Sequence, residues 1–456
     1  MTRDSDLHST SGQARGLLRL GLPLVGSAVA GFAIHMTDVV MLGWYDVGAL
    51  AAATIATSIF FNLFLLGAGF GNAVSPMVAE ATAAGDETRA RRVTRMAFWL
   101  SAVFSVLCLP ALWWSEALLL AIGQTEEVSR LAQDYLRIAA FGMLPALGAN
   151  LMRNYLGALG FTTVLLWMTL AALPANALVN YLLIFGNWGF PELGVRGAAI
   201  ASIMVQLVTM IGLGLYAQWR LPEAELYRRF WRSDNKVMAQ VFRLGWPIGL
   251  TSIAEGSLFT ASGVMMGWVG TVELAAHGIA LQLAALAFMF HVGMSQAATI
   301  RAGGAFGRRS SVELAAVGRA AILVSGVFGL MAVAVFVAIP ETLVSLFIDP
   351  EEPRRAELIE VGGRLVLMAA LFQMVDAGQI VALSLLRGVQ DTRVPLILAT
   401  VSYWLVGLSV AYVMGFVLDW GPEGIWLGLS AGLATAAVTM MLRFWRKGVR
   451  IGSAAA

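Results

Sequence analysis

One cysteine, Cys108, is all that 456 residues contain. That excludes a disulfide framework, and its place in an apolar run makes a buried, unreactive thiol the expectation. Charge is also scarce. Charged residues make up 13% of the chain, against about 25% in soluble domains, so a soluble globular fold is excluded. The basic and acidic totals, 30 and 28, nearly cancel. No broad positive field exists to attract a nucleic acid. The first fifteen residues carry Asp4 and Asp6 and no short apolar core with a small-residue cleavage site. They read as a polar tail and not as a signal peptide. The four histidines show no metal-ligand spacing. No paired-His, Ser-His or repeated carboxylate motif falls inside an apolar run, so neither an enzyme active site nor a cofactor is expected.

What the chain does have is apolar residues, 59% of the total, and 48 glycines. Abundant glycine is usual where helices pack closely inside lipid. A helix crosses the hydrocarbon core with about 20 apolar residues. Twelve such stretches are present: 17–43, 50–77, 94–118, 131–157, 162–185, 197–218, 243–268, 273–300, 312–338, 364–387, 394–417 and 424–442. Two are weak. The fourth holds Arg137 and Pro145, and the tenth holds Asp376. With the N-terminus in the cytoplasm, 24 of the 30 basic residues fall on the cytoplasmic side. This is the bias expected of a correctly counted membrane protein.

The chain repeats itself. LRLGLP at 18–23 returns as FRLGWP at 242–247, an offset of 224. The same offset pairs MLGW at 41–44 with MMGW at 265–268, and LAAA at 50–53 with LAAH at 274–277. Six spans per unit is an even number, so both halves enter the membrane in the same direction, with a cavity expected between them. The expected fold is an all-α integral membrane protein of twelve transmembrane helices in two pseudo-symmetric six-helix bundles. The bundles are 16–219 and 242–446, joined by a linker at 220–241 on the cytoplasmic membrane surface. Polar tails are expected at 1–15 and 447–456.

Acids inside the spans need a reason, since each costs about 2.5–3.5 kcal/mol at the bilayer centre. Three stand out: Asp38 in the first span, Glu255 in the seventh and Asp376 in the tenth. Each is expected to face a bundle interior or a wet cavity. At offset 224, Asp38 corresponds to Ser262 and Glu255 to Gly31. Positions 31 and 38 are two helical turns apart on one face, about 10 Å along the axis. Aligning LRG at 386–388 with YLG at 155–157 gives an offset of 231 and places Asp376 opposite Pro145. The halves therefore keep a common frame and diverge in their polar centres. Glu255 and Asp376, if close, repel each other and can share a proton or a cation. Asp38 has candidate partners in Asn176 and Asn180, four apart on one helical face. His35 and His277 read as packing residues ahead of proton relays.

These features resemble the multidrug and toxic compound extrusion family, and within it the NorM branch. The resemblance spans essentially the whole chain. It rests on TDVVMLG at 37–43, PELGVRGAAIA at 191–201, FRLGWPIGL at 242–250, TIRAGGAFG at 299–307, VDAGQ at 375–379 and LRGVQDTRVP at 386–395. It implies a secondary antiporter that expels cationic amphipathic drugs and dyes in exchange for inward Na⁺ or H⁺. It implies that Glu255 and Asp376 form the coupling site, with Na⁺ as their metal where Na⁺ is the coupling ion. It implies a coupling or drug-binding role for Asp38, Asn176 and Asn180. Some branches carry an acid at the second position of the asparagine pair, so a proton site of that type is not implied here. Gly278 stands where a glutamine is common. The expected setting is a bacterial inner (plasma) membrane, with both termini cytoplasmic. The expected partners are the lipid bilayer and cationic drugs, with the chain acting as a monomer. The competing reading is a lipid-linked precursor flippase. Such a protein needs a basic cavity for pyrophosphate, and no mid-span Lys or Arg is apparent.

Overall fold

The computed structural model describes residues 7–121 and 123–451. The outer parts of both expected tails, 1–6 and 452–456, lie outside the described residues. Twelve long helices follow one another: α1 Thr10–Tyr45, α2 Val47–Ala83, α3 Glu87–Trp113, α4 Glu126–Ala158, α5 Thr162–Phe185 and α6 Val195–Arg220. Then come α7 Asn235–Val269, α8 Thr271–Gly307, α9 Ser311–Ala338 and α10 Arg355–Gly388. The last two are α11 Arg393–Val417 and α12 Gly421–Gly448. No strand occurs among the described residues. Eleven of the helices are long and apolar enough to cross a membrane. The remaining one, α7, has 35 residues, ample for a crossing. Glu255 and several Ser and Thr residues dilute its apolar character.

Helices run past the expected ends. The 36 residues of α1 span about 54 Å, well beyond a hydrocarbon core of about 30 Å. Helix therefore replaces much of what reads as tail and linker. α1 starts at Thr10, within the stretch expected as a polar tail, and α7 takes over the linker from Asn235. At the other end, helical structure continues to Ile451, through residues expected as tail.

The two least apolar spans turn out to be the central ones. In the N-terminal half α4 packs most extensively on α2 and α6, and in the C-terminal half α10 packs most extensively on α8 and α12. Both are more enclosed by protein than any other span. A helix shielded from lipid has no need of a uniformly apolar surface.

Turn chemistry confirms the duplication. α2 ends with Ala84 and Gly85 donating to Glu80 and Thr82, and Asp86 then caps α3 by accepting from the Arg89 amide. α8 ends with Arg308 and Arg309 donating to Gly304 and Phe306, and Ser310 caps α9 by accepting from the Glu313 amide. Every position is displaced by 224. The left-handed residue is Gly85 in one half and Arg309 in the other, at φ 76° and 55°. The turn geometry survived loss of the glycine that favours it.

The later turns shift the register by one. Gly160, at φ 86°, donates to Gly157, and Gln390, at φ 61°, donates to Arg387. That offset is 230, not the 231 suggested by matching LRG with YLG. Asp376 therefore stands opposite Ala146 and not Pro145. A left-handed turn is a sharper landmark than a three-residue match between apolar helices. The first half still has no acid at this place.

The compact units draw their boundaries inside helices. One comprises the chain up to Val25 together with Thr251 onward, and the other is Gly26–Leu250. The expected bundles, 16–219 and 242–446, are thus exchanged at their beginnings. Within the second unit the first part of α7 lies against α2 with backbones almost touching. A Cβ on Gly69 would overlap the Gly245 carbonyl, and one on Gly249 would overlap the Leu66 carbonyl. The first unit repeats this. Gly293 of α8, the counterpart of Gly69, meets the backbone of Val25 in α1.

Candidate ion and substrate sites in the two units

In the unit Gly26–Leu250, α1 and α5 bring three predicted residues together. Asn180 Nδ2 donates to Asp38 Oδ1 at 2.6 Å and to Asn176 Oδ1 at 3.2 Å. The four-residue spacing on α5 makes this arrangement available. Both asparagines are fully buried, and Asp38 is half-buried. The side chains of Asn176 and Ser202 also face the Asp38 carboxylate, with His35 in electrostatic range. Among the described residues, Asn176 Nδ2 and Asn180 Oδ1 have no partner at hydrogen-bond distance. Buried amides normally find one, so the site holds spare donor and acceptor capacity for a water or a ligand. Two residues here escaped the sequence reading. Ser202 and the buried Tyr135 stand near Asp38 on α6 and α4. Both are ordinary packing residues by composition, and only the three-dimensional arrangement marks them.

Asn180 is the hub of this group. The Asn180→Leu variant is expected to lose about 1–3 kcal/mol, since the half-buried Asp38 carboxylate and the buried Asn176 amide oxygen both lose their donor. Thermal melting of the detergent-purified protein reads this. An unchanged melting temperature would show that the group contributes nothing to stability.

The other unit gathers Glu255 of α7 and Asp376 of α10 within electrostatic range of each other. Asp376 is buried, with 2% of its surface exposed, and Glu255 is half-buried. Among the described residues neither enters an ion pair. Three residues that the sequence reading passed over complete the group. Gln379 Nε2 donates to Tyr403 Oη at 2.6 Å, and both side chains are buried. Tyr403 thereby keeps its own O–H as a donor within electrostatic range of both carboxylates. It sits on a π-helical stretch, Val401–Gly407, a wide turn often found at functional sites. Arg387 is the third. It is half-buried near the end of α10 and attracts Glu255. It is the last residue of the tenth expected span, 364–387.

No cluster of three or more His, Cys, Asp or Glu side chains able to hold a metal ion occurs among the described residues. A bound Na⁺ would thus draw on neutral oxygens besides the two acids. His277 is packed, not aligned with the acids. Its ring meets Trp426 edge-on at 5.6 Å, and its Nε2 is 3.4 Å from Ser262 Oγ. Ser262 is the counterpart of Asp38, so the duplicated position has become part of a packed core.

Twelve long helices, an internal duplication and acids set within the helices of each half define a polytopic membrane transporter. The chain belongs to the MatE family, whose model matches it twice, over residues 23–182 and 247–413. The two matches begin at Pro23 and Pro247, again 224 residues apart. Among its relatives is a probable multidrug resistance protein NorM of Agrobacterium fabrum, 42% identical over 94% of this chain and 93% of that protein. Another is a probable multidrug resistance protein NorM of Rhizobium meliloti, 43% identical over 97% and 95%. The fold is that of solved MATE structures. An outward-facing multidrug resistance MATE transporter of the MOP superfamily superposes with a TM-score of 0.85 at 20% identity, covering 99% of this chain and 98% of that one. A eukaryotic MATE transporter does so with a TM-score of 0.84 at 17% identity, covering 98% and 99%.

Proposed function

We propose that the protein is a secondary multidrug antiporter that exports cationic amphipathic compounds in exchange for inward Na⁺ or H⁺. The observation that carries this reading is the pair Glu255 and Asp376, two acids inside one bundle that form no ion pair among the described residues. An entering cation is attracted to both. Binding neutralises the pair and changes the balance between conformations by its differential affinity for them. Arg387 attracts one of the same carboxylates, so it competes with the ion for Glu255 and sets how strongly the site holds it. Asp38 with Asn176 and Asn180 offers a second polar centre, where a carboxylate and the spare Asn180 amide oxygen suit a cationic substrate. The relatives' names support multidrug export. The distribution of Lys and Arg supports both termini in the cytoplasm, and the proposed setting is a bacterial plasma membrane with the chain acting as a monomer. The flippase reading gains little from Arg387, because the acids beside it disfavour a pyrophosphate.

Dye efflux from vesicles, with a Na⁺ gradient or a pH gradient imposed separately, tests this. Accumulated cationic dye is expected to leave under at least one gradient and to stay when neither is present. Dye retention under both gradients would sink the antiport reading.

A further inference from the structure

We propose that the linker end of the unit Gly26–Leu250 is a binding site for an anionic phospholipid. Two adjoining cavities carry the inference, both walled by α3 and the linker. The first is lined by Arg91, Arg92 and Arg95 of α3 and by Arg228, Arg229, Arg232 and Lys236 of the linker and the start of α7. Two carboxylates, Glu225 and Asp234, share it, which leaves an excess of five positive charges. Both are already engaged. Glu225 pairs with Arg228 and with Arg91, the latter at 2.9 Å, and Asp234 pairs with Arg92 at 3.4 Å. Arg228 and Arg91 hold the Glu225 carboxyl below its ordinary range, so it remains an anion at neutral pH. The second cavity is apolar, formed by Phe98, Leu151, Met152, Met210, Leu215 and Phe230 among others. Its outer wall faces away from the protein, with Ile211 49% and Leu215 65% exposed.

Arg95 lines both cavities and joins them. It is 7% exposed. Its Nη1 donates to the carbonyls of Arg228 and Arg229 at 2.7 and 2.8 Å, which ties the linker to α3. Its Nε is buried without a partner among the described residues. The linker is held in shape around this point. Trp99 Nε1 donates to the Phe230 carbonyl at 3.0 Å, and Glu225 and Arg229 adopt left-handed backbone at φ 43° and 52°. Strained residues persist where surrounding contacts fix them.

A cationic pocket continuous with an apolar groove matches a molecule with a negative head and a hydrocarbon tail. The position selects a bilayer resident, since the charges stand where α3 begins and the groove runs along its apolar stretch. The exported compounds do not fit here, because their charge has the wrong sign. A free phosphate would use the charges and leave the groove empty. Basic clusters at the membrane surface attract anionic lipid through each cation separately.

The test uses full-length protein purified in detergent, with lipid retention measured by native mass spectrometry. Phosphatidylglycerol is expected to be retained well above phosphatidylcholine. The triple change Arg229→Gln, Arg232→Gln and Lys236→Gln leaves the Glu225 and Asp234 pairs intact. It is expected to weaken phosphatidylglycerol binding about tenfold to a hundredfold. Leu215→Glu, on the exposed face of α6, is expected to weaken it as well. Should the triple variant fail to fold, Arg232→Gln alone is expected to weaken binding about fivefold. Wild-type retention by the charge variants, or equal retention of the two lipids, would overturn the site. Displacement of the lipid by inorganic phosphate at equal concentration would show a phosphate site without the groove, and would overturn it too.

Discussion

Asp376→Asn and Glu255→Gln are each expected to reduce gradient-driven dye efflux to the level of protein-free vesicles. The effect is large because the change is chemical and not steric. The amides keep the size of the acids and their hydrogen-bonding reach. They lose the negative charge that an incoming ion neutralises. Exchange requires that ion binding and substrate binding be linked, and the link here is charge. Asp376 has 2% of its surface exposed, so water does little to screen its interaction with Glu255 or with a cation. With one acid replaced, the remaining acid stands beside Arg387 or Tyr403 and no longer forms a two-carboxylate site. Reconstituted vesicles with imposed gradients measure the outcome directly. Efflux at the wild-type rate in both variants would remove Glu255 and Asp376 from the coupling site. Folding is separable from this result, because the detergent-purified variants are expected to melt at or above the wild-type temperature. Either change relieves the repulsion between the two acids and breaks no salt bridge formed among the described residues.

The second large effect concerns glycines. Gly428→Ala and Gly249→Ala are each expected to destabilise the protein by about 2–3 kcal/mol. A Cβ at Gly428 would overlap the backbone of Ala411, and one at Gly249 would overlap the Leu66 carbonyl. In both cases the obstacle is main chain, which cannot swing aside as a long side chain does. Valine at either place is expected to yield no monodisperse protein. Three other helical glycines make the opposite prediction. Gly31, Gly263 and Gly278 have no heavy atom within 4 Å of where a Cβ would stand. Alanine there is expected to stabilise by about 0.5–1 kcal/mol, the helix-propensity difference alone. Thermal unfolding in detergent compares the two groups. A wild-type melting temperature for Gly428→Ala would show that the backbones are less closely packed than described.

Much of the architecture is legible in the sequence because lipid imposes a length and an apolarity on every crossing. The duplication is legible because short motifs survive at one spacing. The acids are legible because they are costly where they stand. Tyr403 and Gln379 are not, since an aromatic or an amide in an apolar span is cheap enough to occur without a role. Arg387 is not legible as a site residue for a definite reason. A basic residue near a span's end satisfies the charge-bias rule, whichever way its side chain turns. The exchanged beginnings of α1 and α7 leave no sequence trace beyond glycines, which every close helix pair uses. The one-residue step between the halves was hidden too, since apolar helices align equally well in neighbouring registers.

That exchange has a consequence for synthesis. Gly21 of α1 packs against Met294, and Val25 against Gly293, so the start of the first helix waits for the eighth. Some 270 residues separate Val25 from Gly293. At ordinary translation rates of about 5–20 residues per second, the interval is roughly 13–54 s. During that time the leading end of the chain sits in the bilayer with its small-residue face uncovered. Docking of the segment that ends at Val25 is deferred until α8 is inserted, which couples the start of the first helix to the arrival of the second half of the chain.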